Sequence, residues 1–124
     1  MIDALNVLAT MQAKIDERDA DALIGLFDDP AMLIGTAGDG RHRAALVRYL
    51  TTLATQPESL RWEWSEVVPF HEAEGALGFA AFGEIVVSDA NGERRAPIRV
   101  TIFVVEREDG WRVRQFHGSV PTQW

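Results

Sequence analysis

The residue types best suited to chemistry lie close together near the end of the chain. Between positions 109 and 119, several polar side chains alternate with apolar ones: Arg112, Arg114, Gln115, His117 and Ser119. A buried polar group costs free energy unless it finds a partner, so a strand that only filled a core would not carry this many. The pattern predicts that this strand binds a ligand or bridges to another surface.

Other candidate groups are more scattered. Asp39, in a Gly-Asp-Gly segment at 38–40, is a second possible acid–base group beside His117. The three histidines, at 42, 71 and 117, fall in separate elements without metal-ligand spacing, so no metal site is predicted. The absence of cysteine excludes a disulfide and a thiol nucleophile. No cofactor is predicted.

Composition narrows the classes of partner. A formal net charge of −7 argues against nucleic acid and against an anionic membrane surface. No apolar run is long enough to span a bilayer, and the N-terminal residues lack a signal-peptide pattern. The length of 124 residues predicts a single domain over 1–124, and we expect it in the cytoplasm.

Helical periodicity dominates the first half of the chain and strand-like patterns the second. Asp19 is the expected N-cap of a second helix, which would carry Leu23, Leu26 and Phe27 and stop at residues 28–30. Segregated helices and antiparallel strands predict an α+β fold, with helices covering one face of a sheet. The predicted helices cover 2–18, the segment from Asp19, and 43–55; the predicted strands cover 31–36, 60–70, 76–88, 96–107 and 111–119.

The order of elements and two short motifs resemble the SnoaL-like branch of the nuclear transport factor 2-like superfamily. The motifs are Gly110-Trp111 followed by Phe116-His117-x-Ser119, and Arg99-x-Thr101 in the preceding strand. The resemblance covers nearly the whole chain. It implies a cystatin-like cone, in which a curved antiparallel sheet wraps around three N-terminal helices and leaves a pocket at its open end. It also implies a homodimer formed through the outer face of the sheet.

The register of the last hairpin predicts which side chains share a face. A two-residue turn at Asp109-Gly110 would place Glu108 opposite Trp111 and Phe103 opposite Phe116. Aromatic walls, a glycine and a few polar groups are typical of a ligand pocket, and the resemblance puts this face inside the cone. The predicted ligand-binding residues are Arg99, Thr101, Phe103, Arg114 and Phe116, with Phe79 from the preceding strand.

The opposite face would carry Gln115, His117 and Ser119 toward a partner subunit. Three alternatives stay open at this point. Both arginines could pair with carboxylates, of which the chain has 19. A one-residue bulge at the turn would exchange the two faces. Trp62 and Trp64 could line the pocket or the subunit interface.

Catalytic groups known from similar folds are missing at the matching positions. In the steroid isomerases that resemble this fold, a base would fall near Ile34 or Gly35, a tyrosine near Met11 and a second acid near Ile102 or Phe103. None of these residues is ionisable, so keto–enol isomerisation is not expected. In the similar kinase association domain, pocket arginines would fall on Ala81, Phe103 and Gly118, so that role is not expected either.

The function predicted from the sequence is a homodimer that binds a small, partly apolar molecule in the cone. An acidic or carbonyl group of that molecule would face Arg99 or Arg114. The first alternative is an enzyme, such as a cyclase, isomerase or hydratase acting on a carbonyl compound, with His117 or Asp39 as acid–base. The second is a structural dimer whose cavity is vestigial.

Overall fold

Three helices and six strands make up residues 2–121, which are the residues that the computed structural model describes. Two of the helices begin at aspartate caps. The Asp3 carboxylate accepts a hydrogen bond from the Asn6 N–H at 3.3 Å, and the Asp19 carboxylate accepts one from the Ala22 N–H at 3.0 Å. The elements are α1 (Ala4–Asp16), α2 (Ala20–Gly25), β1 (Phe27–Gly35), β2 (Gly38–Gly40), α3 (Arg43–Thr55), β3 (Ser59–Ala73), β4 (Ala76–Asp89), β5 (Gly92–Arg107) and β6 (Gly110–Ser119).

The six strands form one curved sheet in the order β2-β1-β6-β5-β4-β3. The strands from β3 to β6 follow one another as an antiparallel meander, and β1 lies parallel to β6. This α+β arrangement, with helices packed inside a curved sheet, is the predicted fold class. Among residues 2–121, no helix is long and apolar enough to cross a membrane.

The start of β1 differs from the sequence prediction. Phe27 was expected at the end of α2, but it begins β1 and lies opposite Val113 of β6. Pairing with β6 and burial of the Phe27 ring outweigh the helical periodicity of the segment. The Gly-Asp-Gly segment, for which no strand was predicted, is the short strand β2, which pairs with the end of β1.

The hydrophobic core lies between the helices and the inner face of the sheet. Strand β5 contributes its even-numbered aliphatic residues, and β4 contributes Leu77, Phe79 and Ala81. The helices bury a matching stripe, including Met11 on α1 and Leu50 on α3. The inner face of β5 is therefore formed by Ile98, Val100, Ile102 and Val104.

The predicted register of the β5–β6 hairpin is wrong. The two-residue loop is Glu108-Asp109, so Arg107 lies opposite Gly110, whose φ of +128° suits glycine. A bulge then leaves Arg114 without a partner between the pairs Val104–Val113 and Phe103–Gln115. The bulge breaks the alternation along β6, so that Val113, Phe116 and Gly118 are all buried.

Candidate functional site

A cavity of about 220 Å³ lies inside the cone, between the inner face of the sheet and helices α1 and α3. Most of its lining is aliphatic or aromatic, and every strand except β2 contributes to it. Such a surface favours apolar ligand groups over water. The lining comprises Met11, Ile15, Leu23, Phe27, Leu33, Gly35, Thr36, Ala37, Tyr49, Leu50, Leu53, Gln56, Glu58, Leu60, Trp62, Ile85, Val87, Arg94, Ile98, Phe116 and Gly118.

One wall of the cavity is aromatic. The rings of Trp62 and Phe116 stack with centroids 6.2 Å apart, and Trp64 packs beside Trp62 at 5.8 Å. Gln12 of α1 fixes the backbone of this wall, because its amide donates to the Leu60 carbonyl and accepts from the Trp62 N–H, both at 2.9 Å. Of the two alternatives left open for Trp62, the structure shows the cavity wall.

The phenol of Tyr49 reaches into the cavity from α3. Its hydroxyl occupies the space next to Gly35, where a Cβ atom would lie only 1.9 Å from the oxygen. Burial raises the pKa of Tyr49, while the backbone of Ala37 and the hydroxyl of Thr36 act in the opposite direction. Tyr49 is therefore a neutral phenol at physiological pH, able to donate a hydrogen bond.

Charged groups gather only where the cavity meets solvent. Arg94 at the start of β5 makes an ion pair with Glu58 in the α3–β3 connection, and the Arg94 side chain is 70% exposed. The Arg18 guanidinium bonds the carbonyls of Gln56 and Glu58, which fixes the same connection from the α1–α2 loop. The mouth is thus held by contacts between elements that are far apart in the sequence.

The predicted ligand-binding residues lie in four different places: the cavity wall, the core, the outer face of β5 and the bulge in β6. Phe116 lines the cavity, whereas Phe79 is fully buried in the core and does not reach it. Arg99, Thr101 and Phe103 were expected inside, but they lie on the outer face of β5, because the aliphatic even-numbered residues take the inner face.

Arg114, also expected inside, is the bulged residue and contacts Asp28 at 3.3 Å. Arg107 contacts the same carboxylate at 2.5 Å. The hydrogen bond from Arg107, assisted by the Asp29 backbone and the charge of Arg114, lowers the pKa of Asp28 against a smaller opposing effect of burial. Of the two possibilities for Arg114, a ligand contact or an ion pair with a carboxylate, the structure shows the ion pair.

Neither acid–base candidate reaches the cavity. His117 lies on the outer face beside Thr101, in a shallow depression that also includes Arg99 and Ser119. The Arg99 side chain donates to the Ser119 hydroxyl at 3.0 Å. Asp39 is exposed on β2 and pairs with Arg41 at 3.3 Å. Within residues 2–121, no group of three or more carboxylates and histidines is arranged to hold a metal ion.

Tyr49 was not among the site residues predicted from the sequence. A signal was present, because Tyr49 falls three residues after Leu46 and four before Leu53. On a helix that spacing places all three side chains on one face, and both leucines pack against the core. The Tyr49 hydroxyl, on the inward face of α3, could therefore have been predicted to point into the cone.

Comparisons with known proteins agree with this fold. Residues 4–123 match the family model of the SnoaL-like domain. No curated protein matches the chain significantly.

Solved structures match over nearly the whole chain at low identity, which shows the fold alone. A candidate calcium/calmodulin-dependent protein kinase II association domain from Xanthomonas campestris is 15% identical with a TM-score of 0.84, over 95% of this chain and 85% of that one. A candidate dehydratase of the nuclear transport factor 2-like family from Streptomyces avermitilis is 12% identical with a TM-score of 0.80, over 93% and 92%. A candidate aromatic ring hydroxylase from Novosphingobium aromaticivorans is 12% identical with a TM-score of 0.79, over 96% and 87%.

The match to the family model extends over all six strands and all three helices. The arrangement of helices and strands agrees with that of the structural neighbours. The chain belongs to the SnoaL-like domain family, with a nuclear transport factor 2-like fold.

Proposed function

We propose that the chain binds a small, largely apolar molecule in the cone cavity. The observation that carries this proposal is the cavity of about 220 Å³, with its stacked Trp62 and Phe116 wall. A well-packed core would fill such a volume with side chains, because protein interiors are close-packed. Apolar walls with a few fixed polar groups are the usual composition of a small-molecule site.

The volume limits the size of the ligand. At the packing density of a protein interior, the cavity accepts a molecule of about 160 Å³ van der Waals volume. That is the size of one or two fused small rings with short substituents. The acidic or carbonyl partner expected at Arg99 and Arg114 is not part of this proposal, because neither arginine lines the cavity.

Titration with indane, a two-ring hydrocarbon of suitable size, tests the proposal. We expect saturable binding by ligand-observed NMR, and loss of binding in Ile85→Trp, whose larger side chain would occupy the cavity. Leu5→Trp is the matched control, because Leu5 is exposed on α1 and the added ring would enter solvent. Absence of saturable binding to the wild type, or equal binding by Ile85→Trp, would contradict the proposal.

We also propose that two copies associate through the outer face of the sheet. Five exposed large apolar residues lie on that face: Met32, Ile34, Val68, Phe70 and Phe82. Phe70 is 60% exposed and packs across Gly78 beside Phe103, so it extends the apolar area along the sheet. Val68, Phe70 and Phe82 lie on the neighbouring strands β3 and β4, and an exposed apolar patch of this kind is typical of an interface.

The charges on the outer face of the sheet favour a second copy of this chain as its binding partner. Glu66, Phe82 and Arg99 form one row across β3, β4 and β5. Within residues 2–121, neither Glu66 nor Arg99 takes part in an intrachain ion pair. A twofold axis near Phe82 would bring Arg99 of one copy toward Glu66 of the other, twice, which is the self-complementarity that a symmetric dimer requires.

Sedimentation equilibrium of the wild type and of Phe82→Glu tests the dimer. We expect a wild-type dimer at micromolar concentration and a dissociation constant raised at least about 30-fold by the buried charge. Leu5→Glu places the same charge on the exposed side of α1 and should leave the dimer intact. A monomeric wild type, or a Phe82→Glu dimer of unchanged affinity, would exclude this interface.

A further inference from the structure

We propose that the ligand is a neutral ring compound with one hydrogen-bond-accepting oxygen, and that the Tyr49 hydroxyl donates to that oxygen. The inference rests on the proposed function of the cavity and specifies the class of molecule. It assigns a binding role to a residue of α3, and it removes that role from the arginines of β5 and β6.

The first observation is the position of the phenol. The Tyr49 oxygen lies where a side chain at Gly35 would stand, at the end of β1 inside the cone, so the absence of a side chain there admits the hydroxyl. Leu50 and Leu53, the neighbours of Tyr49 in the lining, offer only hydrocarbon. The Tyr49 hydroxyl, beside that of Thr36, therefore provides a hydrogen-bonding group at the edge of an apolar part of the cavity wall.

The second observation is how the phenol oxygen is supported. The backbone of Ala37 and the hydroxyl of Thr36 lower the pKa of Tyr49 against the larger effect of burial, so both lie near the phenol oxygen. A hydroxyl carries one proton and two lone pairs. Since burial favours the neutral phenol, the Tyr49 hydroxyl carries its proton and can donate it to an acceptor placed in the cavity.

The third observation is that the charged residues of the lining lie at the mouth of the cavity and not in its apolar part. Glu58 and Arg94 are the charged residues of the lining; they pair with each other and lie at the mouth. An ion in the apolar part of the cavity would lose its hydration without gaining a counter-charge, which is far more costly than burying a neutral carbonyl or ether. The lining therefore favours a neutral ligand over a carboxylate.

Three probes of similar shape test this class: indane, 1-indanone and indane-1-carboxylate. Their dissociation constants are measured by ligand-observed NMR at pH 7 for the wild type and for Tyr49→Phe. We expect Tyr49→Phe to weaken 1-indanone about three- to tenfold, the range for one neutral hydrogen bond, and to leave indane unchanged. Indane-1-carboxylate should bind the wild type at least about tenfold more weakly than 1-indanone.

Thr51→Val is the matched control, since it removes one hydroxyl from an exposed position on the same helix. It should change none of the three constants. Equal effects of Tyr49→Phe on indane and 1-indanone, or no effect on either, would overturn the role of the hydroxyl while the cavity proposal stands. Tighter binding of indane-1-carboxylate than of 1-indanone would overturn the proposal that the ligand is neutral. If no probe binds the wild type, the cavity proposal and this inference are both overturned.

Discussion

The inner and outer faces of the sheet come from the same strands, yet they differ in what their side chains contact. The inner face of β5 and β6 presents Ile98, Phe116 and Gly118 to a cavity that has few polar groups. The outer face presents Arg99, Thr101 and His117, together with exposed aromatic residues. The side chains that look most reactive in the sequence are therefore the ones that point away from the cavity.

This difference shows that residue type alone does not indicate which face of a sheet carries a binding site. A polar side chain on the outer face is solvated or reaches a partner, so its presence costs little. On the inner face each polar group needs a partner, and the described cavity has correspondingly few such groups, among them the hydroxyl of Tyr49. The predictions below test whether the two faces behave as differently as their contacts indicate.

The largest expected effect is on stability, from removal of one phenylalanine on each face. Phe79 is fully buried, so Phe79→Ala should lower the free energy of unfolding by about 3–5 kcal/mol. Phe82 is 41% exposed on the outer face of the same strand, and Phe82→Ala should cost about 1 kcal/mol. Urea unfolding at a concentration where the chain is monomeric measures both; equal losses would contradict the assignment of the faces.

A smaller effect is expected at the contact between Gly35 and Tyr49. A Cβ at Gly35 would lie 1.9 Å from the phenol oxygen and 2.5 Å from Cζ, so the ring must move in Gly35→Ala. We expect a loss of about 1–3 kcal/mol in the free energy of unfolding.

The double variant Gly35→Ala, Tyr49→Ala should lose less than the sum of the single losses, because the clash is removed with the ring. Gly25→Ala is the control: nothing lies within 4 Å of a Cβ at Gly25, so no clash arises. Additive losses in the double-mutant cycle would show that the ring does not lie against Gly35.

The smallest effect is the pH dependence of the Asp28 ion pairs. Because Arg107 lowers the pKa of Asp28 below its usual 3.8, the stabilisation is present above that pH and is lost as pH falls through the folded-state pKa. Asp28→Asn should lower the Tm by a few degrees at pH 7, and the difference should shrink below about pH 4.

Thermal unfolding followed by circular dichroism from pH 7 to pH 3 measures this difference. Asp109→Asn is the comparison, since Asp109 is 74% exposed and pairs with the nearby Arg112. Exposed ion pairs contribute little to stability, so its Tm should follow the wild type throughout. A pH-independent difference for Asp28→Asn would show that charge is not the origin of the effect.

Much of the fold was predictable, because it follows from local patterns. The limits of α3 and the cap at Asp19 agree with the prediction, since periodicity and capping residues act over a few positions. The four strands of the meander were found for the same reason. The single core and the pairing of β1 with β6 depend on contacts between distant residues, which the patterns do not encode.

The site was predicted less well, because strand faces depend on register. The bulge at Arg114 shifts β6 by one residue relative to β5, and a shift of one residue moves a side chain to the opposite face. Phe116 was placed correctly in the cavity wall, whereas Arg99, Thr101 and Phe103 were assigned to the wrong face. No residue in this segment marks the bulge in the sequence, because arginine is common in regular strands as well.

The most direct test of the central claim is mapping of amide chemical shifts while the wild type is titrated with 1-indanone. The account predicts saturable shifts centred on Gly35, Tyr49, Trp62 and Phe116, with the outer-face residues unchanged. Shifts centred on Arg99, Thr101 and His117, or no saturable shift, would contradict the claim that the inner face of the cone holds the binding site.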